Sequence, residues 1–188
     1  MFATNRIFAR FAFLSALVTL SACANSITGP DEVTHALAPE QITALRVVDI
    51  SGEIQPGIAM PQFQLDRVIQ LVKAHLSSEL PQAMGTTGTD GASPKAKIKM
   101  VFTDYDEGNA FARFMLAGLG QIKLGADVVF VDAVTGQELG RYKLSKQFAF
   151  GGIYGVATRM EDVEEGFAKS VVEILREKKA EILRGMKG

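Results

Sequence analysis

The most regular stretch of the chain is Lys95 to Tyr105, where Ala96, Ile98, Met100 and Phe102 alternate with Lys95, Lys97, Lys99 and Thr103. Side chains on an extended backbone point to opposite faces in turn, so a period of two predicts a strand with one face buried and a lysine-rich face in water. The pattern returns from Gln121 to Ala133 through Ile122, Leu124, Ala126, Val128 and Phe130, with Val129 and Val131 adding apolar surface on the far side. Thr135-Gly136 marks a turn, and Glu138 to Phe148, with Leu139, Leu144 and Phe148, comes back as the antiparallel partner. An earlier strand is predicted from Ala44 to Ile54, where Leu45, Val47, Val48 and Ile50 precede Ser51-Gly52.

Two stretches change the period to that of a helix. From Gln62 to Ala83 the apolar residues Leu65, Val68, Ile69, Val72, Leu76 and Leu80 recur at steps of three and four, and Pro81 stops the run. After the glycine-rich break at Gly151-Gly152-Ile153-Tyr154-Gly155, Thr158 and Glu161 have the spacing of a capping box. Val163, Phe167, Val171, Ile174, Leu175 and Ile182 then form the apolar stripe. Glu161, Asp162, Glu164 and Glu165 at its start and Arg184 and Lys187 at its end suit the helix dipole. The order β-α-β-β-β-α predicts an α+β fold of two layers: a mostly antiparallel four-stranded sheet with two helices on one face and the lysine face left wet.

Upstream of these elements the pattern is different in kind. Arg6 and Arg10 precede an apolar run, Phe11 to Leu20, relieved only by Ser15 and Thr19, and small residues follow at Ser21 and Ala22. That is the three-part layout of a secretory signal peptide, and the run falls short of the roughly 20 apolar residues that span a bilayer. It ends on Leu20-Ser21-Ala22-Cys23, which resembles the lipobox of bacterial lipoproteins, where cleavage precedes the cysteine and the new terminal residue carries the lipid. Ala22-Cys23-Ala24 also satisfies the small-x-small rule for ordinary cleavage, here before Asn25, so both outcomes stay open. Ala24, where an Asp would signal retention, implies by the same resemblance transfer to the periplasmic face of the outer membrane. The expected organisation is a signal peptide at 1–22, a lipidated Cys23 with a polar tether to residue 40 broken by Gly29 and Pro30, and one globular domain at 41–188.

Composition narrows the choice further. A chain of 188 residues that is 47% hydrophobic fills one ordinary core. A single cysteine excludes an internal disulfide, so Cys23 needs another explanation. Losing Arg6 and Arg10 with the leader takes the formal charge from −1 to −3, which is no footprint for nucleic acid.

Within the domain, Gly108-Asn109, Arg113, Gly118 and Gly120, followed by Asp132-Ala133-x-Thr135-Gly136-x-Glu138-Leu139, together resemble the bacterial lipoprotein family known as domain of unknown function 4410. The likeness runs from about Phe102 to the last helix; Gln121 and Ile122 are bulkier than its pattern. The resemblance implies a small domain of the kind found in outer-membrane assembly and curli-secretion lipoproteins, a fold-level analogy, with no known activity.

Candidate chemistry is sparse. Gly118-x-Gly120 and Gly151-Gly152-x-x-Gly155 lack the lysine and hydroxyl of a nucleotide-binding loop. Asp104-x-Asp106-Glu107-Gly108-Asn109 has the acidity of a calcium loop, but the position for the bidentate glutamate is Met115. His35 and His75 have no cysteine or carboxylate at ligand spacing, so neither a metal site nor a catalytic residue is expected, and no cofactor. The segment that stands out is Asn109 to Leu119, where Phe111, Phe114, Met115, Leu116 and Leu119 surround Arg113. Either it folds back over the sheet, with Arg113 pairing near Asp106 or Glu107, or it presents Phe111, Arg113, Phe114, Met115 and Leu116 to a periplasmic or outer-membrane protein partner or a lipid surface. The expected function is therefore a non-enzymatic, membrane-anchored interaction or assembly module. A small-ligand-binding module with a pocket near Phe148, Phe150 and Tyr154 is the alternative.

Overall fold

The computed structural model describes residues 30–85, 94–116, 119–148 and 157–185, with the side chains of Glu40, Thr43, Lys178 and 180–185 excepted. The signal peptide, Cys23, Gly118, Phe150, the glycine-rich break with Tyr154, and the basic end of the last helix lie outside that description. The elements are β1 (Glu32–His35), α1 (Pro39–Ala44), β2 (Arg46–Ile54), α2 (Gln62–Glu79), β3 (Lys95–Asp106), α3 (Ala110–Met115), β4 (Ile122–Asp132), β5 (Glu138–Phe148) and α4 (Met160–Gly185).

The α+β class holds, but the sheet has five strands in the order β1-β5-β4-β3-β2, and it is mixed. β2 pairs parallel with β3, because a helix connects them and carries the chain back to the starting end. The fifth strand, β1, lies inside the stretch expected to be tether and pairs antiparallel with β5, Glu32 opposite Lys143 and His35 opposite Arg141. Its four residues are all exposed, so it carries no alternation of apolar and polar positions to read.

The alternating positions do form one buried face. Ile98, Met100 and Phe102 of β3 stand opposite Phe130, Val128 and Ala126 of β4, and Gly140, Tyr142 and Leu144 of β5 continue the rows. Over them lie Leu65, Val68, Val72 and Leu76 of α2 and Val163, Phe167, Val171 and Leu175 of α4. Phe167 meets Phe102 with ring centroids 5.7 Å apart. The sheet–helix interface among the described residues is filled by side chains, with Phe148 packed against the core. The opposite face stays wet and is laced by ion pairs, Lys99 with Glu53 at 2.8 Å and Arg141 with Glu138 and Asp127 at 2.6 and 3.3 Å.

Strand directions gather several connections at one end of the sheet. β2 and β3 finish there, β4 begins there and β5 finishes there, so the start of α2, all of α3 and the start of α4 share that end. Going backwards from β1, the chain heads towards the same end, with the Asp31 amide donating to the Lys143 carbonyl at 2.9 Å.

Just after β1, Leu37 is buried in the core, and its amide donates to the Tyr142 hydroxyl oxygen at 2.8 Å. Tyr142→Phe strands that amide, and urea unfolding should report a loss of about 1–3 kcal/mol, the cost of an unsatisfied buried donor. A loss indistinguishable from zero would show that the segment is held by other contacts.

Candidate interaction surface

α3 is too short to stand alone, and its ends are built by the residues that carry the family pattern. Gly108 and Gly120 both have left-handed backbones, φ 68° and 67°. Asn109 caps the helix: its Oδ1 accepts from the Ala112 amide at 2.9 Å, while its own amide donates to the Gly120 carbonyl at 3.1 Å. Arg113 turns inward and is only 3% exposed. Its guanidinium donates to the Gly120 carbonyl at 2.7 Å and to the Thr158 carbonyl at 3.3 Å, clasping both ends of the α3 segment to the start of α4. The acids expected near Arg113 serve turns and strand ends: Asp106 accepts from the Gly108 amide and Glu107 from the Tyr105 hydroxyl, both at 2.8 Å.

With Arg113 inside, the apolar members of the segment are left outside. Phe111, Phe114, Met115, Leu116 and Leu119 are 50–74% exposed, so α3 does not fold back to cover the sheet. The structure thus separates the five proposed contact residues into four exposed apolar side chains and one buried arginine that holds them in place. Phe63, at the first turn of α2, is exposed at the same end of the sheet and was not singled out by sequence pattern.

Beside α3 an open cleft of about 250 Å³ is lined by Gln64, Glu107, Arg113, Thr158, Arg159 and Glu161. Its floor adjoins a polar cluster that joins the two long helices. Arg67 donates to Glu164, to Glu161 and to Gln64. Glu164 is fully buried, and its Oε1 has no hydrogen-bond partner among the described residues. Burial raises the Glu164 carboxyl above its ordinary range, more than Arg67 draws it down. Glu164 is therefore a buried partner of Arg67 rather than a simple dipole charge. The capping acid is Asp162, which accepts from the Arg159 amide at 2.8 Å, one position beyond the expected Glu161.

His75 has carboxylates on both sides, contrary to expectation: Glu79 one turn along α2 at 3.1 Å and Glu165 of α4 at 2.8 Å. The arrangement pins α2 to α4. The Asp132-to-Gly136 part of the family pattern is a turn as well, with Asp132 Oδ1 accepting from the Val134 and Thr135 amides and the Thr135 hydroxyl. Those bonds favour the charged carboxylate and hold Asp132 below its ordinary range. No described helix is long and apolar enough to cross a membrane.

Solved structures similar to this chain include the PelC dodecamer from Paraburkholderia phytofirmans, 9% identical, covering 74% of this chain and 91% of that chain with a TM-score of 0.48. A protein from Xanthomonas campestris is 10% identical, with 82% and 95% covered and a TM-score of 0.46. A minor lipoprotein from Acinetobacter baumannii is 11% identical, with 71% and 93% covered and a TM-score of 0.39. A search of curated proteins returns no match. The family described as Domain of unknown function (DUF4410) matches residues 33–152, which span β1 to β5 together with the Gly108–Arg113 clasp and the Asp132–Gly136 turn. The chain belongs to that family.

Proposed function

We propose that this protein is a lipid-anchored envelope module that works by surface contact and carries out no reaction, held at the periplasmic face of the outer membrane through an acylated Cys23. The observation that carries the contact reading is the ridge of Phe111, Phe114, Met115, Leu116 and Leu119, exposed on a segment whose backbone is fixed by a buried arginine. A loose loop could bury such residues against the sheet; a clasped one presents them, and presented apolar patches mark interaction sites. The anchor is supported by the leader pattern and by the single cysteine at its end. Among the described residues, the cleft beside α3, at about 250 Å³, is smaller than typical ligand pockets of roughly 300–1,000 Å³.

The test has two arms. Labelled fatty acid should enter the wild-type protein, which fractionates with the outer membrane, and should be lost in Cys23→Ser; a soluble, unlabelled wild type would overturn the anchor. A photo-crosslinking residue at position 114 should give more product in intact cells, protein or lipid, than one at position 134. Val134 is 85% exposed in the β4–β5 turn at the far end of the sheet. Equal yields would overturn the contact reading.

A further inference from the structure

We propose that the surface met by the apolar ridge is the bilayer that holds Cys23, so that anchor and ridge grip one membrane from the same end of the sheet. The proposal deepens the contact reading above and rests on it.

Placement is the first argument. Among the described residues, Phe63, Phe111, Phe114, Met115, Leu116 and Leu119 gather at the end where β2 and β3 finish, while Val33 and Val48 lie on the edge strands and Val134 at the far turn. The chain leaving β1 towards Cys23 heads to that same end. From Lys143, opposite the start of β1, to Phe148 at the sheet end is five strand residues, about 17 Å at 3.4 Å each. Cys23 precedes Asp31 by eight residues, which reach at most about 28 Å when fully extended. A lipid on Cys23 can therefore lie level with α3 or just beyond it; Glu138, at the far end, is also five strand residues from Lys143, so it is the direction in which the chain leaves β1, and not the tether length, that favours this end.

Scale and charge are the second argument. A stable protein complex buries roughly 800 Å² on each partner through about 20–30 residues. The ridge is one short helix and its flanks, the scale of a tip that enters the headgroup boundary. Near the ridge the acids Asp106, Glu107, Glu161 and Asp162 outnumber the bases, Lys123 opposite Asp106 in the sheet and exposed Arg159, while Arg113 is withdrawn from it. An uncharged headgroup suits that surroundings better than an anionic one, so contact should be insensitive to salt.

The chain contains no tryptophan, which allows a single reporter to be placed at will. Acylated protein carrying Phe111→Trp is reconstituted on phosphatidylcholine vesicles with brominated acyl chains, and Val134→Trp is treated in parallel. Phe111→Trp should shift to the blue and lose most of its emission to the bromolipid, in low and high salt alike, while Val134→Trp keeps its aqueous spectrum. Adding Phe114→Asp and Leu116→Asp to Phe111→Trp should abolish the quenching without releasing the protein from the vesicles. An unquenched Phe111→Trp on vesicle-bound protein, or equal quenching at the two reporters, overturns the proposal. If the crosslinks from position 114 in cells are then to protein, the contact reading stands without it; if there are none, both fall.

Discussion

Arg67→Met is expected to lower the free energy of unfolding by about 3–5 kcal/mol, the range for stranding one member of a buried ion pair. The pair is lopsided. Glu164 is fully buried while the Arg67 side chain is one-third exposed, and Arg67 keeps Glu161 and Gln64 if Glu164 is neutralised. Glu164→Gln should therefore cost far less than Arg67→Met. The pH dependence follows from the raised Glu164 carboxyl. Between the ordinary carboxyl value and the folded one, the folded state binds more protons than the unfolded chain, so stability falls as pH rises through that window and the penalty vanishes below it. Removing Arg67 raises the folded value further, so the deficit of Arg67→Met should widen from acid to neutral pH in urea titrations. A deficit constant with pH would mean that Arg67 acts through packing.

Gly108→Ala should be the most disruptive change in the α3 segment. A Cβ there would stand 2.4 and 2.5 Å from the carbonyl oxygens of Gly120 and Gln121 and 2.6 Å from the Arg113 guanidinium, at φ +68°. Left-handed backbone costs about 1–2 kcal/mol for an L side chain, and forced overpacking about 1–3 kcal/mol more. Gly136→Ala is the matched comparison: its φ is +74° but nothing lies within 4 Å, so only the backbone cost applies. Denaturation should rank Gly108→Ala well below Gly136→Ala, with amide exchange accelerated across α3 in the former. Equal losses would show that the clasp yields easily.

What the sequence revealed and what it hid divide along physical lines. β3 and β5 were legible because each has one dry face and one wetter face, which leaves a period of two in the residue types; the central β4 has no exposed residue and Val129 is buried on its far face, so its period of two is blurred. β1 has no dry face, so Glu32-Val33-Thr34-His35 reads as linker; what places it is a hydroxyl 105 residues from Leu37. The parallel pairing of β2 with β3 was within reach, since a helix between two neighbouring strands returns the chain to its starting end. In the candidate surface, the unusual apolar content of residues 109–119 could be read, but its exposure could not. That depends on Arg113 reaching the Thr158 carbonyl 45 residues away. The Arg67–Glu164 contact was hidden more completely, because an acid in the first turns of a helix already has a sufficient local explanation in the dipole.

The edge position of β1 has a mechanical consequence. Under the proposed anchor at Cys23, tension would enter through Asp31 along the axis of β1, which runs antiparallel to β5, and so would load the hydrogen bonds between them in shear, all at once, rather than peeling them one at a time. The buried Leu37–Tyr142 contact lies just behind them and would take the load next. The strand that is least conspicuous in the sequence is thus the one through which the envelope would pull on the fold.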